Sequence, residues 1–250
     1  MNKAVAGIKS LLAQNSFPLF GIVESASMED APQGYRPSDV LPGAKSLLAI
    51  GLPVPKGAYQ CKGRSIETVW RTHSLYYKSI DAISLRVSLL IEEHGDTAVP
   101  VFGCFPFEVK GLGDLWGYAS LVKMAEIAGL GKTGENGLLF NSTYGPRLIL
   151  GGVITTAKLP AQTWPEKDEA GCPEGCNICQ EKCPSKAIDK NGKVDRLACV
   201  LHSSKTPILS HLLHDKNYDL GELQKINLTT TADDNNINTC MECVSSCPYC

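Results

Sequence analysis

Hydrophobic residues in the first 158 positions follow two spacings, one typical of helices and one typical of buried strands. A stripe from Tyr76 to Leu90 recurs at steps of four and three, which predicts an amphipathic helix that ends near Gly95. A second stripe runs from Leu121 to Ala128, where a following glycine stops it. Continuous apolar runs predict strands at 19–23, 46–52, 98–102 and 147–155. Helices that alternate with strands predict an α/β (α+β) core.

The composition is that of an ordinary folded domain and excludes a disordered chain. Hydrophobic residues make up 43% and charged residues 20% of the 250 positions, and the formal net charge is -2. We therefore expect no nucleic-acid partner and no acidic membrane surface. No apolar run approaches the roughly 18 residues of a membrane span, and lysines interrupt the N-terminal stretch, so we expect no signal peptide and a cytoplasmic location.

Cysteine divides the chain into two parts. Nine of the 11 cysteines lie between Cys172 and Cys250, after a loop that is rich in proline and charge. We place the boundary there, with an α/β core at residues 1–165 and a cysteine-rich module at 166–250.

The first cysteine run reads Cys172-Pro-Glu-Gly-Cys176-Asn-Ile-Cys179-Gln-Glu-Lys-Cys183-Pro184. Three closely spaced cysteines, then a fourth followed by proline, match the bacterial ferredoxin run with one extra residue in the first gap. A tight loop can deliver three thiolates to three iron atoms of one cubane, while the fourth cysteine of such a run ligates the other cluster. Soft thiolates favour iron–sulfur clusters or zinc over hard cations.

The second run reads Cys240-Met-Glu-Cys243-Val-Ser-Ser-Cys247-Pro248, and Ile237 occupies the place of its opening ligand. Cys199 and Cys250 are the candidates to replace that ligand, and we expect Cys250, at the last position, to be a frayed thiol. We predict two 4Fe-4S clusters with the following ligands. One cluster takes Cys172, Cys176, Cys179 and Cys247, and the other takes Cys183, Cys199, Cys240 and Cys243.

Three alternatives compete with two clusters. Disulfides suit small secreted scaffolds, structural zinc uses the same thiolates, and a single cluster could leave spare thiols.

A glycine-rich stretch from Gly129 to Arg147 connects a predicted helix to a predicted strand. Its glycines permit positive φ angles and let the backbone approach a ligand closely. It lacks the phosphate-loop ending and the dinucleotide-binding spacing. From the residues alone, it is either a ligand-cradling loop or a tight structural crossover.

Three stretches resemble the epoxyqueuosine reductase family. They are Ala125-Glu-Ile-Ala-Gly-Leu-Gly131, then Gly134-Glu-Asn-Gly137-Leu-Leu with Tyr144-Gly145, and Leu41-Pro-Gly-Ala-Lys-Ser46. The cysteine layout is similar as well, and reductive dehalogenases share the plan more distantly. The resemblance implies a nitroreductase-like core that holds cobalamin and a ferredoxin-like module that delivers electrons. The implied cobalamin-binding residues are Gly129, Gly131, Gly134, Asn136, Gly137, Tyr144, Gly145 and Arg147.

The chain also departs from that family. The Asp-Ser/Thr-Ala-Pro stretch, whose aspartate resembles a proton donor, is absent between Gly103 and Tyr118. Asp114 lies nearest to the matching place, either as an acid or as a helix N-cap, and Tyr118 and Cys104 are further protic candidates. The helical-repeat tail that helps many family members grip tRNA is also expected to be missing, which makes tRNA a doubtful substrate.

These features together predict an iron–sulfur oxidoreductase. A low-potential donor of the ferredoxin or flavodoxin type would reduce one cluster, and the other would pass electrons to a cobalamin that reduces a small-molecule substrate. Two alternatives remain. The protein could be an electron carrier without a corrinoid, or a reductive activator of another corrinoid protein.

Overall fold

The computed structural model describes residues 3–61, 65–104, 108–111, 114–205, 237–238 and 240–250. Its centre is a five-stranded sheet of β1 (Leu19–Glu24), β2 (Ser46–Pro53), β3 (Ala98–Val101), β8 (Leu148–Thr155) and β9 (Gln162–Trp164). These strands lie in the order β3-β8-β2-β1-β9, and every neighbouring pair is antiparallel.

Shorter strands form three two-stranded ribbons: β4 (Glu108–Gly111) with β5 (Asp114–Trp116), β6 (Lys132–Thr133) with β7 (Leu139–Phe140), and β10 (Ser204–Lys205) with β11 (Ile237–Asn238). The α-helices are α1 (Lys3–Gln14), α2 (Pro37–Val40), α3 (Lys56–Gln60), α4 (Ser65–Glu92), α5 (Leu121–Ile127), α6 (Ile178–Lys182), α7 (Arg196–Ser203) and α8 (Glu242–Ser245).

The central sheet is covered on both faces. Leu48 and Ile50 of β2 point into a core that α1 and α4 close, while Leu47 and Ala49 point to the opposite face, which α5 covers. Because successive residues of a strand face opposite ways, both sets must be apolar. This explains why the strands read as continuous hydrophobic runs.

Two glycines allow helices to approach β8 closely from both sides. A Cβ atom on Gly151 would lie 2.8 Å from Ile80 of α4, and one on Gly152 would lie 2.6 Å from Met124 of α5. Larger side chains here would push the helices off the sheet.

The cysteine-rich part contributes to two cores. Cys183, Ala187 and Ile188 form a small core of their own, whereas Val244 and Cys250 pack into the core beneath α4. Cys250 is only 4% exposed. The expectation of a frayed thiol at this position is therefore wrong, because packing on the α/β core holds it.

The predicted strands and the two predicted helices are confirmed, and the fold is a mixed α/β fold around an antiparallel sheet. Within the described residues, no helix has the length and apolar character needed to cross a membrane.

Candidate functional site

The structure brings the first predicted set of cysteines together. Burial raises the pKa of Cys179, and the neighbouring thiols of Cys172 and Cys176 raise it further. Burial likewise raises the pKa of Cys247, and the same two thiols act on it. Cys247 therefore lies beside the first run although it belongs to the second.

The second predicted set is also brought together. Burial raises the pKa of Cys199, which α7 carries, and Cys240 and Cys183 add to that rise. Burial raises the pKa of Cys243 to about 12, and the largest contributions from other thiols are those of Cys199 and Cys240. Cys179 also acts on Cys243, so the two sets adjoin.

Cys183 differs from the other thiols. Burial by itself would raise its pKa, yet hydrogen bonds from the Ser185 side chain and from the Ala187 and Ile188 backbone lower the pKa overall. The Ala187 N–H donates to the Cys183 sulfur at 3.3 Å. These donors favour the thiolate, which is the form that binds iron.

The eight thiols suit iron–sulfur chemistry by their donor type. All 11 cysteines lie within the described residues and carry free thiols. Among those residues, no three His, Cys, Asp or Glu side chains are close enough together to hold a single metal ion. Placing several thiols close together raises their pKa values, because neighbouring thiolates repel one another. Bound iron would reverse that rise by stabilising the thiolates. Ligation itself stays a prediction.

The glycine-rich stretch packs against these cysteine segments. A Cβ atom on Gly134 would lie 3.3 Å from the sulfur of Cys172, and the Asn136 amide donates to the backbone oxygen of Cys243 at 3.5 Å. A Cβ atom on Gly137 would lie 3.0 Å from Val194. The glycine-rich stretch therefore packs against residues of both cysteine sets.

The remaining glycines are explained by packing as well. A Cβ atom on Gly129 would lie 3.0 Å from Lys167, and one on Gly131 would overlap the backbone of Phe140. These positions do not present bare backbone to a ligand, so they do not fit the corrinoid cradle that the resemblance implies. The crossover interpretation accounts for these two glycines, and a corrinoid role for the rest of the stretch stays a prediction.

The last implied corrinoid residues lie where the stretch enters β8. The Arg147 side chain is buried and donates from Nη1 to the backbone oxygen of Val54 at 2.5 Å. Tyr144 is half-buried and packs against the core that lies beneath α5.

A cluster of partly buried protic side chains lies along α4, and the sequence did not single out its central residue, Asp81. Asp81 accepts a hydrogen bond from the Gly103 N–H at 2.9 Å, and burial raises its pKa. The Asp81 charge raises the pKa values of Tyr77, Cys104 and Tyr118, in each case as a smaller effect than burial. The predicted candidates Cys104 and Tyr118 thus surround a carboxyl group.

A second pair of polar residues, one from α3 and one from α4, lies near this cluster. The Tyr59 hydroxyl and His73 Nε2 are 2.9 Å apart, and burial lowers the pKa of His73 to about 4. His73, Tyr77 and Asp81 follow one another at steps of four, so they share one helix face. That spacing of polar residues along one face of an amphipathic helix was the signal available in the sequence.

Asp114 begins β5, where its backbone pairs with Gly111, and its side chain lies outside the described part. It is not the N-cap of α5, because Ser120 accepts the capping hydrogen bond from the Lys123 N–H. Tyr118 donates from its hydroxyl to the Pro100 backbone oxygen at 3.2 Å.

Curated relatives carry the name that the motifs suggested. The chain is 29% identical over 186 residues to an epoxyqueuosine reductase from Bacillus cereus, covering 71% of this chain and 44% of the relative. It is 27% identical over 177 residues to an epoxyqueuosine reductase from Synechocystis, covering 68% of this chain and 55% of the relative. The resemblance to epoxyqueuosine reductases is confirmed. The chain spans about half the length of these relatives, and no protein-family model matches it.

Solved structures show that the fold is shared with epoxyqueuosine reductases. The enzyme from Streptococcus thermophilus superposes with a TM-score of 0.61 at 17% identity, covering 100% of this chain and 66% of the other. A catabolic reductive dehalogenase superposes with a TM-score of 0.54 at 17% identity, covering 78% of this chain and 28% of the other.

One epoxyqueuosine reductase neighbour was solved with a modified tRNA stem loop, and it superposes with a TM-score of 0.57 at 18% identity over 99% of this chain and 66% of its own. The expectation that nucleic acid is not a partner therefore has no support among the structural neighbours.

Proposed function

We propose that this protein is a two-cluster iron–sulfur reductase that takes single electrons from a low-potential ferredoxin or flavodoxin. The observation that carries the proposal is the proximity of thiols that are distant in the chain: Cys247 lies within electrostatic reach of Cys172 and Cys176, and Cys199 lies within reach of Cys183 and Cys240. Cys199 and Cys247 each come from a distant part of the chain to complete a group. A fold that gathers four thiols twice has a reason to do so if each group holds a cubane.

The proposed organisation is a nitroreductase-like core at residues 1–165 followed by a ferredoxin-like module at 166–250. The packing of Val244 and Cys250 into the core supports a module that is docked firmly on its electron acceptor. Close docking shortens the path along which an electron must pass.

The proposed acceptor is a cobalamin. Its support is the fold shared with epoxyqueuosine reductases and with a reductive dehalogenase whose structure was described in terms of B12-dependent dehalogenation. Bound cobalamin would supply a low-valent cobalt centre. Gly129 and Gly131 pack against other parts of the chain and do not present backbone to it.

Asp81 is the residue we propose to hold the proton that the reduced substrate receives. Burial raises its pKa, which favours the protonated carboxyl, and Tyr77, Cys104 and Tyr118 lie around it as further protic groups. A carboxyl group that keeps its proton closer to neutral pH can act as a general acid. Once a substrate is known, Asp81→Asn should lower the rate of turnover more than it weakens substrate binding.

Metal analysis tests the proposal directly. Protein purified without oxygen should contain about eight irons and eight sulfides per chain, together with cobalt if cobalamin is retained. Eight irons without cobalt, and with no spectral change on adding cobalamin, would favour the electron-carrier alternative. Stoichiometric zinc, or about four irons, would contradict the two-cluster proposal.

Cobalamin binding has a separate test. Adding cobalamin to the cluster-loaded protein should shift the corrin absorption bands and raise the thermal midpoint, because a ligand that binds the native state stabilises it. Leu138, which is 36% exposed within the glycine-rich stretch, is the informative position, since Leu138→Ser would remove an apolar contact. Leu85→Ser on α4 is the matched control, as Leu85 is 47% exposed. Equal cobalamin binding by both variants would show that the glycine-rich stretch is not part of the cobalamin site.

The substrate class is also a proposal. We propose a small molecule, and the neighbour that was solved with a tRNA stem loop makes an RNA stem loop the comparison to include. Fluorescence anisotropy with a labelled tRNA anticodon stem loop separates the two classes. Saturable binding that weakens with added salt would indicate an RNA substrate and overturn the small-molecule proposal.

A reductive activator of another corrinoid protein is the remaining alternative. It would bind no cobalamin itself, yet it would speed the reduction of cobalt in a separate corrinoid protein supplied in the assay.

A further inference from the structure

Helix α4 carries a second row of apolar side chains, which no described part of the chain covers. Leu75, Leu85 and Leu89 are 50%, 47% and 60% exposed, and Ala82 is exposed between them. The other large apolar side chains that are exposed within the described residues lie elsewhere along the chain, one to a segment. Single exposed apolar side chains are ordinary, whereas a contiguous row of them marks an interaction surface.

The spacing of this row fits a helix as its partner. Leu75, Ala82 and Leu89 are seven residues apart, and Leu85 follows Ala82 by three. Seven residues are close to two helical turns, so the row runs along one line for about 21 Å of α4. We call Leu75, Ala82, Leu85 and Leu89 the outer stripe. The α4 residues that pack into the core lie on the opposite face: Val69, Ile80, Ile83, Val87 and Ile91.

Charged side chains beside the outer stripe are divided by sign along the helix. Arg71 and Lys78 are exposed in its first half, whereas Glu92 and Glu93 are exposed at its end. Arg86, between them, donates to a side chain of its own chain. Two copies of α4 that run in opposite directions would set each basic half against an acidic end, whereas parallel copies would set like charges together. The outer stripe is therefore complementary to itself in the antiparallel orientation.

We propose that the outer stripe is a homodimer interface, in which α4 packs antiparallel against α4 of a second copy of this chain. Burial of the leucines drives the association, and the charges set its direction. The small side chain of Ala82 lets the two helix axes approach closely. Antiparallel packing of identical helices has two-fold symmetry, so the dimer is closed and grows no further.

The size of the surface sets the strength of the dimer. One helix face is smaller than the roughly 800 Å² that each partner buries in an interface of standard size. We therefore expect a reversible dimer with a dissociation constant on the order of micromolar. The interface uses none of the cysteines, so this inference goes beyond the proposed function and does not depend on it.

Sedimentation-velocity ultracentrifugation of the full cluster-loaded chain, over a range of protein concentrations, tests the inference. The unsubstituted protein should change from monomer to dimer as its concentration rises. Leu75→Lys and Leu89→Lys should each raise the dissociation constant at least about 30-fold, because each substitution occurs twice in a two-fold interface. Both side chains are exposed, so the thermal midpoint of the dilute monomer should stay unchanged. Trp164→Gln is the control, because Trp164 is 42% exposed on β9, and it should leave the dimer intact.

Reversing the charges tests the direction of the helices. Arg71→Glu with Lys78→Glu should weaken the dimer at least about tenfold, and so should Glu92→Lys with Glu93→Lys. All four substitutions together should restore it, because opposite charges then meet again in the antiparallel orientation. Parallel helices would instead keep like charges together in every one of these variants.

The remaining outcomes would overturn the proposal. A monomer at every concentration would mean that no second copy occupies the outer stripe. A dimer that both leucine variants leave intact would place the contact on another surface. Failure of the fourfold variant to recover the dimer would rule out the antiparallel arrangement.

Discussion

Gly145 lies against the carbonyl group of Tyr249, so close that any side chain at position 145 would overlap it. Gly145 also has a φ of 57°, in the left-handed region. The two residues are far apart in the chain, yet their contact joins the end of the glycine-rich stretch to the turn that follows Cys247. Glycine at this position therefore serves the docking of a cysteine segment.

Gly145→Ala should destabilise the protein and displace Cys247. Strain at a positive φ costs about 1 kcal/mol, and the overlap with Tyr249 should add to it, giving a loss of roughly 2–4 kcal/mol in the free energy of unfolding. Urea unfolding measures the loss, and iron analysis should show a lower content in the same variant.

Gly34→Ala is the matched control for strain alone. Gly34 has a φ of 92°, and nothing lies within 4 Å of the Cβ position. Its substitution should cost about 1 kcal/mol and leave the iron content unchanged. Equal costs at the two positions would contradict the proposed overlap.

Cys199 and Cys250 can be separated by iron content. Cys199→Ala should remove about four irons per chain, because it takes one thiolate from a set of four. Cys250→Ala should keep about eight irons and lose some stability, since Cys250 is buried in the core beneath α4. Iron and sulfide analysis with reduced-state EPR gives the answer. The ligand assignment is wrong if Cys250→Ala costs a cluster while Cys199→Ala does not.

The sequence predicts well those elements in which burial determines the pattern of apolar residues. Strand β2 and helix α4 follow directly from a two-sided apolar run and a one-sided apolar stripe. The proposed cysteine grouping rests on a different feature of the sequence, because the Cys-Pro endings align the two runs and indicate which ligand the second one lacks.

The sequence could not indicate what the glycines contact or how the polar groups of α4 meet. Positive φ at Gly145 is compatible with a ligand or with another part of the chain, and only the tertiary structure brings Tyr249 to it. Asp81 lies in an amphipathic helix, and the donor that bonds its carboxylate, the Gly103 N–H, comes from after β3 in the chain. Position at the end of the chain suggested fraying for Cys250, but packing on the core overrides it.

His73 should make the stability of the protein depend on pH. Burial lowers its pKa from 6.5 to about 4, so below about pH 6.5 the unfolded chain binds a proton that the folded protein does not. The free energy of unfolding should therefore fall as the pH drops, by about 2 kcal/mol between pH 7 and pH 5. Urea unfolding across this range measures the slope.

Two variants identify the histidine responsible. His73→Gln should flatten the slope, because it removes the titrating group. His94→Gln should leave the slope unchanged, since His94 is exposed on the surface and bonds the Leu90 backbone oxygen. A slope that persists in His73→Gln would assign the pH dependence to other groups.

The link between Asp81 and Cys104 can be measured through the reactivity of the thiol. Burial raises the pKa of Cys104 to about 12, and the charge of Asp81 contributes to that rise. At pH 8 only about one thiol in 10,000 is then ionised, so alkylation should be slow. Asp81→Asn removes the charge but keeps an oxygen that can accept the hydrogen bond from the Gly103 N–H. In the variant, the alkylation rate of Cys104 should rise about tenfold, because no nearby carboxylate then disfavours the thiolate.

Mass spectrometry after iodoacetamide treatment without oxygen reports the rate at Cys104 separately from the other cysteines. The protein should be cluster-loaded, so that the ligating thiols are protected, and Cys61 serves as the internal reference. Glu92→Gln is the control, because Glu92 is an exposed carboxylate on the same helix, and it should leave the rate at Cys104 unchanged. If Asp81→Asn and Glu92→Gln give the same rate, Asp81 does not act on Cys104, and the proton-donor proposal for this cluster loses its electrostatic basis.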